Sequence, residues 1–172
     1  WISDRIEITR KARANSPRAA TKKLADIAYR FGEVRQDGSE RIIIVPSVSS
    51  ERREYLPCGY LDVGSIVIAP NLAFYDSPLW NMALIASRLH LVWVATVCGR
   101  IKTDYRYSNT LGWNTFPVPP LTEKNKADLT RCAEDILLAR EHHFPATIAD
   151  LYDPANMPPD LRAAHERNDE VL

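Results

Sequence analysis

The feature that most constrains the fold is a long, mostly apolar run at residues 79–98. The run is long enough to cross a bilayer, but Asn81, Arg88 and His90 interrupt it. It also lacks the flanking polybasic segment that commonly accompanies a membrane span. We therefore interpret the run as a buried helix that ends before Gly99.

Short β-type segments lie on both sides of this helix. The β-branched run at residues 41–45 follows an Asp37-Gly38 turn and ends at Pro46. Because the Asp-Gly pair and the proline mark turns, the run is predicted to be a strand. Further strands are predicted at residues 55–61, 64–69, 72–75, 101–107 and 114–118.

Helical periodicity marks both ends of the chain. Helices are predicted at residues 3–15, with Ser3 as the cap, and at residues 19–31. A helix at 122–141, capped by Thr122, and a shorter one at 159–169 follow the β-rich middle. The apolar stripe of helix 122–141 consists of Leu129, Cys132, Ala133, Ile136 and Leu137.

These elements predict an α+β fold, with a mixed or antiparallel β-rich core, flanking helices and a C-terminal helical segment. Residues 1–120 are expected to form one domain and residues 121–172 a helical extension. The chain opens on Trp1 rather than methionine, so we expect it to be part of a longer polypeptide.

Composition limits the functional classes. The 172 residues are 45% hydrophobic, which is enough for a packed core. The net charge is zero, but residues 1–57 carry 12 basic and 8 acidic side chains, whereas residues 111–172 carry 6 and 11. Three cysteines without metal-ligand spacing indicate reduced, buried thiols and a cytoplasmic protein outside any membrane.

The groupings expected of a self-contained enzyme are absent from the sequence. The six glycines are scattered, so no glycine-rich cofactor turn is present. No Pro-Pro-aromatic methylation motif occurs, because Asn156-Met157-Pro158-Pro159 lacks both the spacing and the aromatic residue. His90 is interpreted as a hydrogen-bonded core residue. The adjacent His142 and His143 are interpreted as residues at a helix C-terminus, where partial positive charge is favourable. We therefore expect no catalytic, cofactor-binding or metal-binding residues in this chain.

The segment at residues 46–57 is rich in side chains that suit nucleic-acid contact. It follows the predicted strand 41–45, which would project its side chains from a rigid element. Hydroxyl groups suit phosphates, arginines suit guanine or phosphate, and a carboxylate accepts from the cytosine amine. A solvated hairpin with internal ion pairs remains an alternative. The candidate DNA contacts in this segment are Ser47, Ser49, Ser50, Glu51, Arg52 and Arg53.

Side-chain alternation refines this prediction. In an extended segment Glu51 and Arg53 would share one side and Arg52 would lie on the other. Glu51 and Arg53 are therefore assigned to base edges and Arg52 to phosphate or an ion pair. The residues Tyr55-Leu56-Pro57 are expected to anchor the chain again behind this segment.

A second polar stretch occupies residues 99–109. Basic side chains alternate there with tyrosines, a pattern that is typical of nucleic-acid surfaces but also of a simple exposed strand. Lys102, Tyr105 and Arg106 are the candidate DNA contacts from this stretch.

Four strings together resemble a known family. PSVSSERREYLPCGYL, IAPNLAFYD, VCGRIKTDYRYSN and WNTFPVPPLTEKNKADL are similar to the target recognition domain of MmeI-like type IIL restriction-modification DNA methyltransferases. The resemblance covers nearly the whole chain. Its FPVPPLTEKNKADL piece also resembles the specificity subunits of type I restriction systems.

The resemblance implies a role in sequence-specific recognition of double-stranded DNA. The parent protein would carry an upstream methyltransferase domain that binds S-adenosylmethionine and methylates a flipped adenine, with or without a fused endonuclease. This chain would itself be inactive. Because base-reading positions vary within the family, the resemblance implies base contacts for the region 49–53 but no particular base for each residue. Two alternatives stay open: half of a type I specificity subunit, and a protein-interaction module built on helix 122–141.

Overall fold

The computed structural model describes all residues from 1 to 172 and divides them into two compact units, Trp1–Asp37 and Gly38–Leu172. The first unit contains helices α1 (Ile2–Ala14) and α2 (Ala19–Lys22). No side chain caps α1, so the expected Ser3 cap is wrong.

The predicted helix at 19–31 is wrong beyond residue 22, where turns replace it. The guanidinium of Arg13 donates to the carbonyl oxygens of Leu24, Ile27 and Arg30 at 3.0, 3.0 and 2.8 Å. The Arg13 side chain thus donates to carbonyl groups that would accept from backbone N–H groups if the helix continued.

Six short strands form two antiparallel sheets in the second unit. They are β1 (Ile42–Val45), β2 (Val48–Ser49), β3 (Gly59–Leu61), β4 (Leu72–Tyr75), β5 (Arg100–Ile101) and β6 (Asp104–Arg106). One sheet has the order β3-β1-β4 and the other β2-β6-β5. The central strand β1 is almost wholly buried, as its β-branched sequence predicts.

The helices of the second unit follow and flank these strands. They are α3 (Trp80–Ile85), α4 (Arg88–Val97), a π-helical turn (Asn109–Trp113), α5 (Glu123–His142), α6 (Ile148–Leu151) and α7 (Pro159–Val171). The α+β prediction is confirmed. None of the helices combines the length and apolarity that a membrane crossing requires.

The apolar run at 79–98 forms two helices rather than one. Ser87 separates them: its hydroxyl donates to the Leu84 carbonyl at 2.7 Å and accepts from the His90 amide at 3.0 Å. Ser87 therefore ends α3 and caps α4. The N-cap of α3 is Leu79, and no side chain caps this helix.

Four strand predictions were wrong in part or in full. Residues 64–69 and 114–118 form no strand, and only 59–61 of the segment 55–61 is extended in a sheet. The predicted strand 101–107 is instead part of a tight hairpin. Lys102 turns the chain there with a positive φ of 56°, in the left-handed region that tight hairpins use.

The core lies between α3, α5 and α7. Residues 82–86 are fully buried, and α5 packs on both α3 and α7. Thr122 caps α5, as predicted, and the structure shows that it does so in a reciprocal capping box with Asn125. The predicted stripe is buried at Leu129, Cys132, Ala133 and Ile136, whereas Leu137 is only half-buried.

The sequence-based interpretations of the cysteines and of His90 hold only in part. All three cysteines are free thiols; Cys58 and Cys132 are buried, but Cys98 is only half-buried. His90 is fully buried, and its Nε2 lies 3.0 Å from the Tyr107 hydroxyl. Its Nδ1, however, has no hydrogen-bond partner.

Candidate nucleic-acid interface

The β2-β6-β5 sheet brings the two polar segments together. Val48 pairs with Arg106 and Ser49 with Tyr105, and the Tyr107 amide donates to the Ser47 carbonyl at 2.8 Å. The segments 46–57 and 99–109 thus lie side by side, although they are far apart in sequence. Sequence reasoning identified each segment but could not predict that they pair.

The register of this sheet divides the candidate residues between its two faces. Ser49, Tyr105 and Arg100 are paired neighbours and share one face, whereas Val48 and Arg106 share the other. Ser49 is only 3% exposed, and its hydroxyl has no hydrogen-bond partner. A direct contact between Ser49 and DNA would therefore require neighbouring side chains to move. Arg106 and Lys102 are exposed.

Residues 50–54, which we name the recognition turn, are not extended. The Arg53 amide donates to the Ser50 carbonyl at 3.2 Å, and the Arg52 amide to the Ser50 hydroxyl at 3.4 Å. The alternation argument for Glu51, Arg52 and Arg53 was therefore wrong, because it assumed a strand. Glu51 and Arg52 are exposed at the tip of the turn, and Arg53 is half-buried.

Arg100 is a residue of this surface that sequence reasoning missed. Its Nη1 lies 3.4 Å from a carboxylate oxygen of Glu51 and donates to the Thr103 carbonyl at 2.7 Å. Its guanidinium also lies 4.7 Å from the ring centroid of Tyr105. Arg100 therefore links the recognition turn to the hairpin. Its place in the alternating basic and tyrosine run was the signal that could have identified it.

The charge of this surface differs from that of the whole chain. Residues 47–54 and 100–106 contain five basic and three acidic side chains, while the chain as a whole is neutral. Basic groups suit the phosphates of any duplex. An exposed carboxylate such as Glu51 is repelled by phosphates and gains only from a base-edge donor, so it favours discrimination.

The recognition turn is followed by the anchor that the sequence predicted. Tyr55 and Leu56 are completely buried. The turn is therefore held between β2 on one side and a buried pair of side chains on the other. Such support holds exposed side chains in a restricted set of positions.

A second cluster of polar side chains lies where α5 ends and α7 begins. The His143 Nε2 and the His142 Nδ1 lie 2.8 and 3.3 Å from carboxylate oxygens of Asp160. The hydrogen bond from His143 lowers the pKa of Asp160 below its ordinary value. The three groups are of types that can hold a transition metal. Asp160 could not be connected to the histidine pair from the sequence, because 17 residues separate it from His143.

Comparison with known proteins gives concordant results. Residues 1–120 match the family described as MmeI, target recognition domain, and residues 121–172 match that described as MmeI, C-terminal domain. The chain is 39% identical over 173 residues to DNA methyltransferase A of Bacillus subtilis (strain 168), covering 99% of this chain and 19% of that protein. It is also similar to the Type IIL restriction-modification enzyme MmeI, whose structure is solved in complex with DNA. That similarity has a TM-score of 0.92 at 30% identity and covers 99% of this chain and 23% of the MmeI chain.

Proposed function

Because this chain belongs to the family of MmeI target recognition domains, we propose that it recognises a specific sequence of double-stranded DNA for a larger methyltransferase. The pairing of β2 with β6 is the structural observation that carries the proposal, because it joins both candidate segments in one surface. The DNA in the complex of the structurally similar MmeI supports the same assignment.

The side chains of this surface suit two kinds of DNA contact. We assign Glu51 and Arg53 to base edges on side-chain chemistry alone, because a carboxylate can accept from a cytosine amine and a guanidinium can donate to guanine in the major groove. Arg52, Lys102 and Arg106 are exposed cations that suit phosphates. The remaining candidates, which would orient or support these contacts, are Ser47, Ser49, Ser50 and Tyr105.

The larger protein would supply the chemistry. The chain spans about a fifth of the length of DNA methyltransferase A, which leaves room for an upstream methyltransferase domain in the same polypeptide. That domain would bind S-adenosylmethionine and methylate an adenine flipped out of the duplex, in the cytoplasm. Within this chain, residues 1–120 would recognise DNA and residues 121–172 would act as a helical spacer.

Replacing Arg52, Lys102 and Arg106 together by alanine tests the phosphate contacts. We expect weaker binding to every duplex, because phosphate contacts do not depend on sequence. The slope of log affinity against log salt should become less steep by about 0.9 for each phosphate that the variant no longer neutralises. Fluorescence anisotropy of the complete gene product with labelled duplexes, over a range of salt concentrations, measures both quantities.

A matched control removes charge elsewhere. Lys124 and Arg131 are exposed cations of α5, and replacing both by alanine should leave the salt slope unchanged. If the triple variant keeps the wild-type slope, the β2-β6-β5 surface is not the phosphate-binding surface. If the slope of the control variant falls by as much, the electrostatic attraction is not specific to this surface.

A further inference from the structure

One face of α7 contacts the chain where it leaves the recognition turn. The Arg162 Nη1 donates to a carboxylate oxygen of Glu54 at 2.5 Å. The ring of His165 stacks on that of Tyr55 at a centroid distance of 4.1 Å, and the Tyr55 hydroxyl donates to Asp169 at 3.2 Å. Positions 162, 165 and 169 recur at the spacing of a single helix face.

The start of α4 completes the same contact. The backbone amide of Arg88 donates to the second carboxylate oxygen of Asp169 at 2.8 Å. Its side chain donates to the Tyr55 hydroxyl at 2.9 Å and lies 3.5 Å from the Glu54 carboxylate. Glu54 and Tyr55 are thus held from two helices at once.

His165 is itself fixed in a buried hydrogen-bond chain. Its Nδ1 lies 3.2 Å from the Ala86 carbonyl, which can only accept, so Nδ1 carries the proton. Its Nε2 then accepts from the Tyr152 hydroxyl at 2.7 Å. Burial and the nearby Arg140 lower the pKa of His165 to about 3, so the ring stays neutral in this arrangement.

Arg140 extends the hydrogen-bond chain to Cys58, which follows the buried pair Tyr55 and Leu56 by two residues. Its Nε donates to the Tyr152 hydroxyl at 2.8 Å and its Nη1 to the Cys58 carbonyl at 2.6 Å. The residues that follow the tip of the turn, 54–58, are therefore held at both ends by groups of α5 and α7.

We propose that Arg162, His165 and Asp169 are positioning residues for DNA recognition. They fix the exit of the recognition turn, so that Glu51 and Arg53 are presented to base edges in one arrangement. The inference rests on the proposed function and assigns residues 121–172 a part in specificity beyond that of a spacer. Specific binding needs this fixed geometry, whereas non-specific binding to phosphates does not.

The test compares two ion pairs of the same helix. Arg162→Ala removes the contact with Glu54, and the matched control Arg167→Ala removes the contact between Arg167 and Asp135, which are 3.7 Å apart. The complete gene product is first used to map its methylated sites. Its affinity is then measured for a duplex carrying the mapped site and for a scrambled duplex.

We expect Arg162→Ala to lower the ratio of specific to non-specific affinity by about tenfold, the effect of removing one charge-assisted hydrogen bond. Arg167→Ala should leave the ratio within about twofold of wild type, as expected of an exposed pair. Unfolded protein lowers both affinities equally, so the ratio is insensitive to reduced stability. Glu54→Gln tests the same contact with no change of volume and should lower the ratio in the same direction.

The outcomes separate the two proposals. A wild-type protein that prefers its mapped site, with unchanged ratios in both Arg162→Ala and Glu54→Gln, overturns the positioning role and leaves the proposed function intact. A wild-type protein that binds both duplexes equally overturns the proposed function, and the positioning role with it.

Discussion

Lowering the pH from 7 to 5 is expected to reduce the free energy of unfolding by roughly 4 kcal/mol, because two buried histidines must stay neutral in the folded protein. Burial lowers the pKa of His90 to about 4, and burial together with Arg140 lowers that of His165 to about 3. In the unfolded chain both titrate near the ordinary histidine value of about 6.5.

The sign of this effect follows from proton binding. Below about pH 6.5 the unfolded chain binds protons that the folded protein does not, so acid favours unfolding. The stability is fully present above that pH and is lost as the pH falls towards the folded pKa values. A pH of 5 is about 1.5 units below the pKa of each histidine in the unfolded chain, and this difference corresponds to about 2 kcal/mol per histidine.

The surroundings of the two histidines explain why neither gains a compensating charge. His90 packs against the rings of Tyr107, Trp113 and Phe116. His165 lies near Arg140, whose positive charge further disfavours protonation. The lowered carboxyl pKa values of Asp128, Asp150 and Asp160 affect stability only near pH 4 and below, outside this range.

Urea unfolding at pH 7 and pH 5 measures the difference. Replacing His165 by glutamine should reduce the pH dependence by about half, whatever it does to stability at pH 7. Equal free energies of unfolding at the two pH values would contradict the burial of two neutral histidines.

The second large effect is expected for Ile136→Ala, which should destabilise the protein by about 2–5 kcal/mol. Ile136 lies in the middle of α5 and is completely buried in the core that α5 forms with α3 and α7. Removing its side chain reduces apolar burial and leaves a cavity between three helices that cannot all move inwards.

Leu138→Ala is the matched control on the same helix. Leu138 is 61% exposed, so its replacement should change stability by no more than about 0.5 kcal/mol. Urea midpoints of both variants give the comparison. Equal midpoints for Ile136→Ala and wild type would mean that α5 is a loosely attached helix, which would favour its use as a docking surface.

Sequence patterns predicted those parts of the fold that depend on neighbouring residues. The cap of α5 is an example, because Thr122 and Asn125 satisfy each other within one turn. The break at Ser87 was missed, because a single serine also occurs inside helices, and only the contacts of its hydroxyl with Leu84 and His90 mark the break. Beyond residue 22 the predicted helix is replaced by turns, and carbonyl groups of these turns accept from Arg13, which lies 11 to 17 residues earlier in the sequence.

The candidate interface shows the same difference between features set by neighbouring residues and contacts between residues far apart in the sequence. Local composition was enough to propose residues 47–53 and 102–106 as candidates. It could not show that Glu51 meets Arg100, 49 residues away, or that Glu54 meets Arg162, 108 residues away. Contacts at such separations depend on the packing of whole elements, and no local pattern encodes them. The turn at 50–54 was also missed, because its serine and charged residues suit a strand end and a turn alike.

We propose that the recognition turn determines which DNA sequence is recognised, and exchanging its charges tests this role most directly. Glu51→Lys combined with Arg53→Asp reverses the donor and acceptor pattern presented to a C·G pair. The measurement is genome-wide mapping of methylated sites in cells that express the complete gene with this double change. Arg52→Ala, in the same turn, is the control.

We expect the double variant to methylate a motif that differs from that of wild type at one base pair, with a discrimination of about 1–3 kcal/mol. Arg52→Ala should keep the wild-type motif and lower the extent of methylation at all sites alike. An active double variant that methylates the unchanged wild-type motif would contradict the account.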